Sequence, residues 1–507
     1  MGNEKTIILL PLIIPLVTAI ISLFFRKNKS INSLISIIGS IVLILVTDFF
    51  IFPLIIENGI LTTQIAGWEA PFGITIVVDM FSAMMLTIAS FVGLMVNIYA
   101  FQNINDRKKE FGFFVFFHFL MMSVNGVFLA GDIFNLYVWF EVMLISSFVL
   151  LVLGNGKEQL IATVKYTVLS FIASAFLLVG VGMIYGITGS LNMADIALFF
   201  KENPNEPLLM VTAILFMLPF AIKAAIFPLY FWLPASYHTP DISVTAVFSG
   251  LLTKVGIYAL IRCFTLIFIH DVDYTHTILL VVAGLTMISG VLGALSKMDM
   301  RRILSFHIVS QVGYMVLGLA LFTPLAIAGS IFYMIQHILA KTNLFLITGV
   351  VEKIKGSSNL NKVSGLYHHF PILSVIFLLV ALSLAGLPPF SGFWAKFILI
   401  KAGFEVQEYL VIVIALITGL LTLFSMMKIW VNSFWGKEQK QPDKYLNENE
   451  SSLFKNNLAL LLPVCMMALL TLSIGLFSMP LMKFATIASE QLMNPEGYIE
   501  AVLGSID

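Results

Sequence analysis

Residues 208–234 read LLMVTAILFMLPFAIKAAIFPLYFWLP, a run long enough to cross a bilayer that nevertheless carries Lys223 and, five residues later, Pro228. A lone ammonium in hydrocarbon costs about 2.5–3.5 kcal/mol on insertion scales, so it requires an acidic partner, water, or both. Pro228 removes a backbone donor and crowds the carbonyl four residues earlier, which breaks or kinks the helix. In a membrane such a break is tolerated only where protein covers the freed groups or a water-filled cavity receives them. Broken helices at mid-depth are also how secondary transporters build ion sites, so charge and breaker together predict an aqueous pathway.

The whole chain agrees with that reading. Of 507 residues, 59% are hydrophobic and 11% charged, with a mean hydropathy of +0.99, far more apolar than a soluble domain. This composition specifies an all-α, polytopic membrane protein. Net charge is zero, which gives no footing for nucleic acid as a partner. Cys263 and Cys465 both sit in apolar runs, as small packing residues rather than a disulfide or metal pair. Residues 6–25 lack a basic leader and a small-residue cleavage site, so they read as a retained first helix.

Apolar runs predict about 14 transmembrane helices, at 6–25, 32–56, 78–101, 112–130, 132–153, 162–187, 208–234, 243–269, 275–296, 303–322, 326–350, 369–402, 408–435 and 456–483. Only Gly131 separates the fourth from the fifth. Odd-numbered loops carry nearly all the lysine and arginine, among them Arg26, Arg107, Lys157, Arg301, Lys353 and Lys440, whereas even-numbered loops carry only Lys201. That asymmetry places the odd loops inside and both chain ends outside. The longest polar stretch, from about Gly436 to Lys455, is a loop, so 1–507 reads as a single membrane domain whose chemistry is intramembrane.

FPLYFW at 227–232 is echoed by PPFSGFW at 388–394, five spans later and therefore in the opposite direction. This predicts two inverted five-helix repeats, 112–269 and 275–435, with broken helices 7 and 12.

Lys223, Lys254, Lys341 and Lys396 lie too deep in their spans to reach the interface easily, whereas Lys165, Arg262, Lys401 and Lys428 lie near predicted ends and are read as snorkelling side chains. Among acids only Glu141, in FNLYVWFEVMLISS, is deep, and it is assigned to Lys223. A carboxylate favours the ammonium that burial disfavours, so its movement can load or unload a proton. Lys254 follows as the next station, reached through water and hydroxyls such as Ser249 and Thr253. His337 and Lys341 are four residues apart on one helical face. Lys396, beyond its own prolines, becomes the outlet. His238, His307, His368 and His369 are less informative. No histidine pair suits haem b, and there is no Gly-rich phosphate loop, C-x-x-C or nucleophile motif, so no cofactor, metal or enzymatic role is expected. Sodium ligands such as Asp132 or Asn135 are not singled out by any spacing.

With these residues placed, the sequence resembles the large ion-translocating subunits shared by respiratory NADH dehydrogenase, membrane-bound hydrogenases and Mrp-type multisubunit cation/proton antiporters. The resemblance covers roughly 75–435 and rests on GDIFNLYVWFEVM, FAIKAAIFPLYFWLP, LLTKVGIYAL, KMDMRRILSFHIVSQVGYM, HILAKTNLFL and LSLAGLPPFSGFWAK. It implies a central chain of protonatable groups at Glu141, Lys223, Lys254, His337, Lys341 and Lys396, with the Glu–Lys pair driving and the twelfth-span residue near an exit. Tyr333 departs from the family's two histidines one turn apart. The chain length and the twelfth-span lysine resemble the D-type antiporter subunits. The resemblance implies transport of H⁺ and Na⁺ across the cell membrane together with other membrane subunits in the lipid bilayer. The alternatives are a proton-pumping subunit of a redox complex and a structural assembly subunit whose buried charges only specify packing.

Overall fold

The computed structural model describes residues 6–154, 156–436 and 457–504; most of the predicted polar loop to Lys455 lies outside them. Among the described residues, ten helices are long and apolar enough to span a bilayer, and four are shorter and apolar. They are α1 (Leu10–Phe24), α2 (Lys29–Asn58), α3 (Met80–Asn103), α4 (Phe113–Leu129), α5 (Ile133–Val152), α6 (Lys157–Thr188), α7 (Leu209–Ala224), α8 (Ile242–Leu266), α9 (Val272–Leu295), α10 (Met300–Ala320), α11 (Pro324–Lys355), α12 in two halves (Pro371–Ala385 and Ser391–Glu405), α13 (Tyr409–Trp435) and α14 (Leu458–Leu476). Each predicted apolar run falls on one of them. The fourth and fifth are separate helices, because Asp132 accepts from the Asn135 N–H and so starts α5 afresh.

The arrangement is polar inside and apolar outside. α3, α8, α10 and α11 are almost wholly buried, yet they are less apolar than the rim helices α2 and α13. Lipid demands hydrocarbon side chains, and only the protein interior can satisfy the serines, threonines and lysines of α8 and α11. Small residues let the backbones approach. A Cβ on Gly290 of α9 would lie 2.3 Å from the Ser310 nitrogen and 2.7 Å from its Cα on α10, and backbone cannot step aside as a side chain can. Gly290→Ala is expected to cost about 1–3 kcal/mol through overpacking, read as a lower unfolding midpoint of the detergent-solubilised protein.

A two-stranded antiparallel hairpin, β1 (Leu61–Gln64) and β2 (Thr75–Val78), leads into α3, and Thr75 accepts from the Gly131 N–H at 3.0 Å. After α14 come α15 (Met479–Met493) and α16 (Pro495–Leu503). They are fastened to the same end of the bundle. Gln491 accepts from the Met80 N–H at 2.9 Å, Thr62 donates to the Ala501 carbonyl at 3.1 Å, and Lys201 pairs with Glu496 at 2.7 Å.

Local geometry recurs at one offset. Antiparallel bridges join Asp132 to Asn192 and Asp299 to Asn359, and adding 167 to 132 and 192 gives 299 and 359. The 32-residue helices α6 and α11 start at 157 and 324, again 167 apart, and end on Gly189 (φ 70°) and Gly356 (φ 71°). The two broken helices end alike as well. α7 closes with Ala225 at φ 61° and the Ile226 N–H donating to the Ala221 carbonyl; the first half of α12 closes with Gly386 at φ 89° and the Leu387 N–H donating to the Leu382 carbonyl. Both are left-handed helix terminations of the same hydrogen-bond pattern.

Candidate functional site

Lys223 occupies the last turn of α7, immediately before the break. The break begins at Ala225, three residues ahead of Pro228. Trp232 donates its indole N–H to the Ile222 carbonyl at 3.0 Å, and the Phe227 N–H donates to Thr286 of α9 at 3.0 Å. The second contact satisfies a backbone group that the break would otherwise strand. The Lys223 ammonium is buried, has no hydrogen-bond partner, and lies 5.6 Å from the centre of the Phe140 ring.

Glu141 follows Phe140 on α5 and is half-buried, with Oε1 buried and unpartnered. It lies within electrostatic reach of Lys223, but among the described residues the two make neither a hydrogen bond nor an ion-pair contact. The sequence pairing is therefore a neighbourhood and not a contact, with an aromatic ring beside the amine.

α8 packs directly on this corner, since a Cβ on Gly256 would lie 2.8 Å from the Ala224 nitrogen. Lys254 is wholly buried and donates to the Ser249 carbonyl at 2.6 Å. That carbonyl lies in a π-helical turn, Phe248–Leu252, where the ordinary ladder of α8 is interrupted. The contact is thus to backbone and not to the hydroxyls the sequence suggested; the Thr253 hydroxyl has no partner.

The remaining groups converge on α11. Lys341 donates to the Leu304 carbonyl of α10 at 3.1 Å. His337, one turn away, is wholly buried with both ring nitrogens unpartnered, and it lies within electrostatic reach of Lys254, Lys341, Lys396 and His307. Lys396, just past the break in α12, donates to the Leu384 and Ala385 carbonyls at 3.1 and 2.9 Å. These are the terminal carbonyls of a half-helix, where the helix dipole favours a cation.

Between His337 and Lys396 stand Tyr333, read in the sequence only as a missing histidine, and Tyr314 and Gln311, which sequence reasoning passed over. Tyr333 stacks on His337 with ring centres 6.2 Å apart and on Tyr314 at 5.4 Å. It donates to Gln311, and the Lys396 ammonium lies 4.9 Å from the centre of the Tyr314 ring. Tyr333 occupies the position where the first of the two histidines could be, and the i, i+4, i+8 spacing of Tyr333, His337 and Lys341 was the available signal. His307, uninformative in the sequence, belongs here too, with Nε2 buried and unpartnered.

One of the snorkelling assignments is overturned. Arg262 is 5% exposed and forms a 2.6 Å ion pair with Asp79, enclosed by the rings of Phe81, Tyr258 and Tyr498. Glu141 is therefore not the only acid in the interior. Asp79 gave no signal in the sequence because it stands at the start of α3 as a cap, an ordinary place for an aspartate. Lys428 is partly buried and donates to the Leu295 and Lys297 carbonyls at 2.9 and 2.7 Å, closing the end of α9. Lys165 and Lys401 are exposed, as snorkelling requires.

Comparison with known proteins gives concordant matches. The family described as NADH:quinone oxidoreductase/Mrp antiporter, transmembrane, matches residues 130–422, and complex I chain 5 N-terminus matches 65–114. The chain is 46% identical over 499 residues to the D-type Na(+)/H(+) antiporter protein of Alkalihalophilus pseudofirmus, covering 98% of this chain and 99% of that one. It is 38% identical over 496 residues to the D-type Na(+)/H(+) antiporter protein of Bacillus subtilis, covering 98% and 99%. A chain in the structure of the Mrp complex from Dietzia sp. superposes with a TM-score of 0.91 at 32% identity, over 99% of this chain and 100% of that one.

Proposed function

Since the chain belongs to the NADH:quinone oxidoreductase/Mrp antiporter transmembrane family and groups with its D-type antiporter members, we propose that it is the proton-translocating subunit of a multisubunit Na⁺/H⁺ antiporter. It is a multi-pass protein of the cell membrane. Its work is transport and not catalysis, it is carried out with other membrane subunits, and it is driven by the proton gradient.

The observation that carries this reading is the company the buried amines keep. The contacts of Lys223, Lys254, Lys341 and Lys396 are carbonyls and aromatic rings, and none is in ion-pair contact with a carboxylate among the described residues. A static scaffold would neutralise such charges by pairing, because an unpaired ammonium in the interior is costly. Amines held by carbonyls can lose and regain a proton with little change in packing, which suits a relay. The route runs from Glu141 and Lys223 to Lys254, then through Lys341 and His337, past Tyr333 and Tyr314, to Lys396. The repeated 167-residue offset supports two inverted five-helix repeats, 112–269 and 275–435, with each broken helix supplying a lysine beside its break.

Glu141→Ala, in an assembled complex in vesicles, is expected to lose Na⁺-driven proton movement while assembly is unchanged. Normal exchange by that variant would remove the acid from the mechanism. Loss of assembly in place of exchange would favour a packing role.

A further inference from the structure

At the lysine-rich, inner end of the bundle lies a polar cavity of about 490 Å³, lined by Gln102, Asn103, Thr239, Asp241, Arg301 and Glu352 among others. Two ion pairs hold its walls: Lys108 with Asp241 at 2.7 Å and Arg301 with Glu352 at 2.8 Å. Arg301 also donates to the carbonyls of His238 and Pro240 at 3.1 and 2.9 Å. Its charge would therefore keep partners if Glu352 became neutral.

The floor of the cavity is closed by three residues. A Cβ on Gly349 of α11 would lie 2.5 Å from the Tyr99 hydroxyl and 2.6 Å from Ile242 Cγ2, and Tyr99 is fastened by donating to the Leu346 carbonyl at 3.1 Å. Beyond this closure, where α8 and α11 pack together, the buried hydroxyls of Ser249 and Thr342 meet at the Ala246 carbonyl, 2.9 and 3.5 Å away. Thr342 and Gly250 touch, with a Cβ on Gly250 falling 2.3 Å from the Thr342 hydroxyl. Thr342 adjoins Lys341, and the Ser249 backbone carbonyl holds Lys254. The polar cavity and this pair of hydroxyls thus lie on either side of Ile242 and Tyr99.

We propose that Glu352 is the inner proton-uptake group and that Ile242 with Tyr99 forms the closure between it and Lys341. The inference rests on the proton-relay reading. A hydronium ion in the cavity gives its proton to the Glu352 carboxylate, leaving water and a neutral acid, while Arg301 stays bonded to the two carbonyls. When Ile242 swings aside and water enters, that proton passes along the hydroxyls to the neutral amine of Lys341, and Glu352 returns to its carboxylate.

Accessibility tests the closure independently of transport. In the assembled complex, with Cys263→Ala and Cys465→Ala removing the native thiols, Thr239→Cys places a thiol in the cavity and Thr342→Cys places one beyond the closure. A small charged thiosulfonate added from the inner side is expected to modify Thr239→Cys rapidly. It should modify Thr342→Cys about 10- to 1000-fold more slowly, in keeping with an open state populated at roughly 0.1–10%. Adding Ile242→Ala should raise the second rate about tenfold or more. Equal rates at the two positions, or a Thr342→Cys rate indifferent to Ile242→Ala, would overturn the closure. For the uptake group, Glu352→Gln should slow exchange and Glu352→Asp restore it. A Gln variant that exchanges normally, or an Asp variant as slow as Gln, would overturn that assignment. Lys223→Ala measured alongside separates the two levels: if it still exchanges, the relay itself is wrong, whereas failure of the labelling alone leaves the relay standing.

Discussion

Lys223→Ala is expected to abolish Na⁺/H⁺ exchange in the assembled complex, and Lys223→Arg to do so as well. The first loss follows from removing the amine that Glu141 neighbours. A positioned proton-transfer group is worth about 10²–10⁴-fold in rate, so residual exchange near the detection limit is expected. The arginine variant carries the argument further. A guanidinium preserves the positive charge but does not give up its proton, so it can substitute for a packing charge and not for a relay. Assembly should survive in both variants. The Lys223 ammonium has no hydrogen-bond partner to strand, and the Phe140 ring beside it stands 5.6 Å away. The measurement is proton movement in vesicles, with complex abundance followed in parallel. Full exchange by Lys223→Arg would show that only the charge matters and would end the relay reading at this position.

Arg262→Met on its own should destabilise the protein by about 3–5 kcal/mol, because it leaves Asp79 charged and buried without its partner. The carboxylate is 1% exposed and lies 2.6 Å from the guanidinium. Its other bond, accepting from the Ser82 N–H at 2.8 Å, caps α3 and cannot neutralise a charge. Asp79→Asn combined with Arg262→Met should recover most of the loss. Asparagine keeps the helix cap, methionine fills the aromatic enclosure of Phe81, Tyr258 and Tyr498, and no charge remains. Unfolding midpoints of the solubilised protein check this, and strict additivity of the two single losses would refute the coupling. The effect differs in kind from that of Lys223. There a free amine is expected to matter for transport and hardly for stability; here a paired guanidinium matters for stability.

Much of the candidate site was legible in the sequence because a membrane penalises every charge it buries. Lys223, Lys254, His337, Lys341 and Lys396 could be picked out of apolar runs, and all five are buried. The same rule failed near helix ends. Arg262 sits at a position where a side chain could reach water, and linear position does not tell whether neighbouring helices block the way. Asp79 was invisible for a related reason: a capping aspartate at a helix start is ordinary, and only its burial with Arg262 beneath Tyr498, more than four hundred residues along the chain, makes it exceptional. Tyr333 was noted as an absence, a missing histidine. The stack it forms with Tyr314 and His337 required α10 and α11 to be side by side.

By itself the sequence determined what hydrocarbon enforces locally: which segments are helices, where Pro228 and its counterpart before Lys396 interrupt them, and which amines are too deep to escape. Those outcomes depend on each segment's own hydropathy and backbone chemistry, which a linear chain states completely. Tertiary structure alone decided who faces whom. It left Lys223 beside a ring instead of in contact with Glu141, gave Lys254 a carbonyl in a π-helical turn, hid Arg262 with Asp79, and set Ile242 and Tyr99 against Gly349 between a polar cavity and the buried hydroxyls of Ser249 and Thr342. Partnership inside a membrane protein is fixed by the packing of helices distant in sequence, and electrostatic pairing changes steeply over the few ångströms that packing controls.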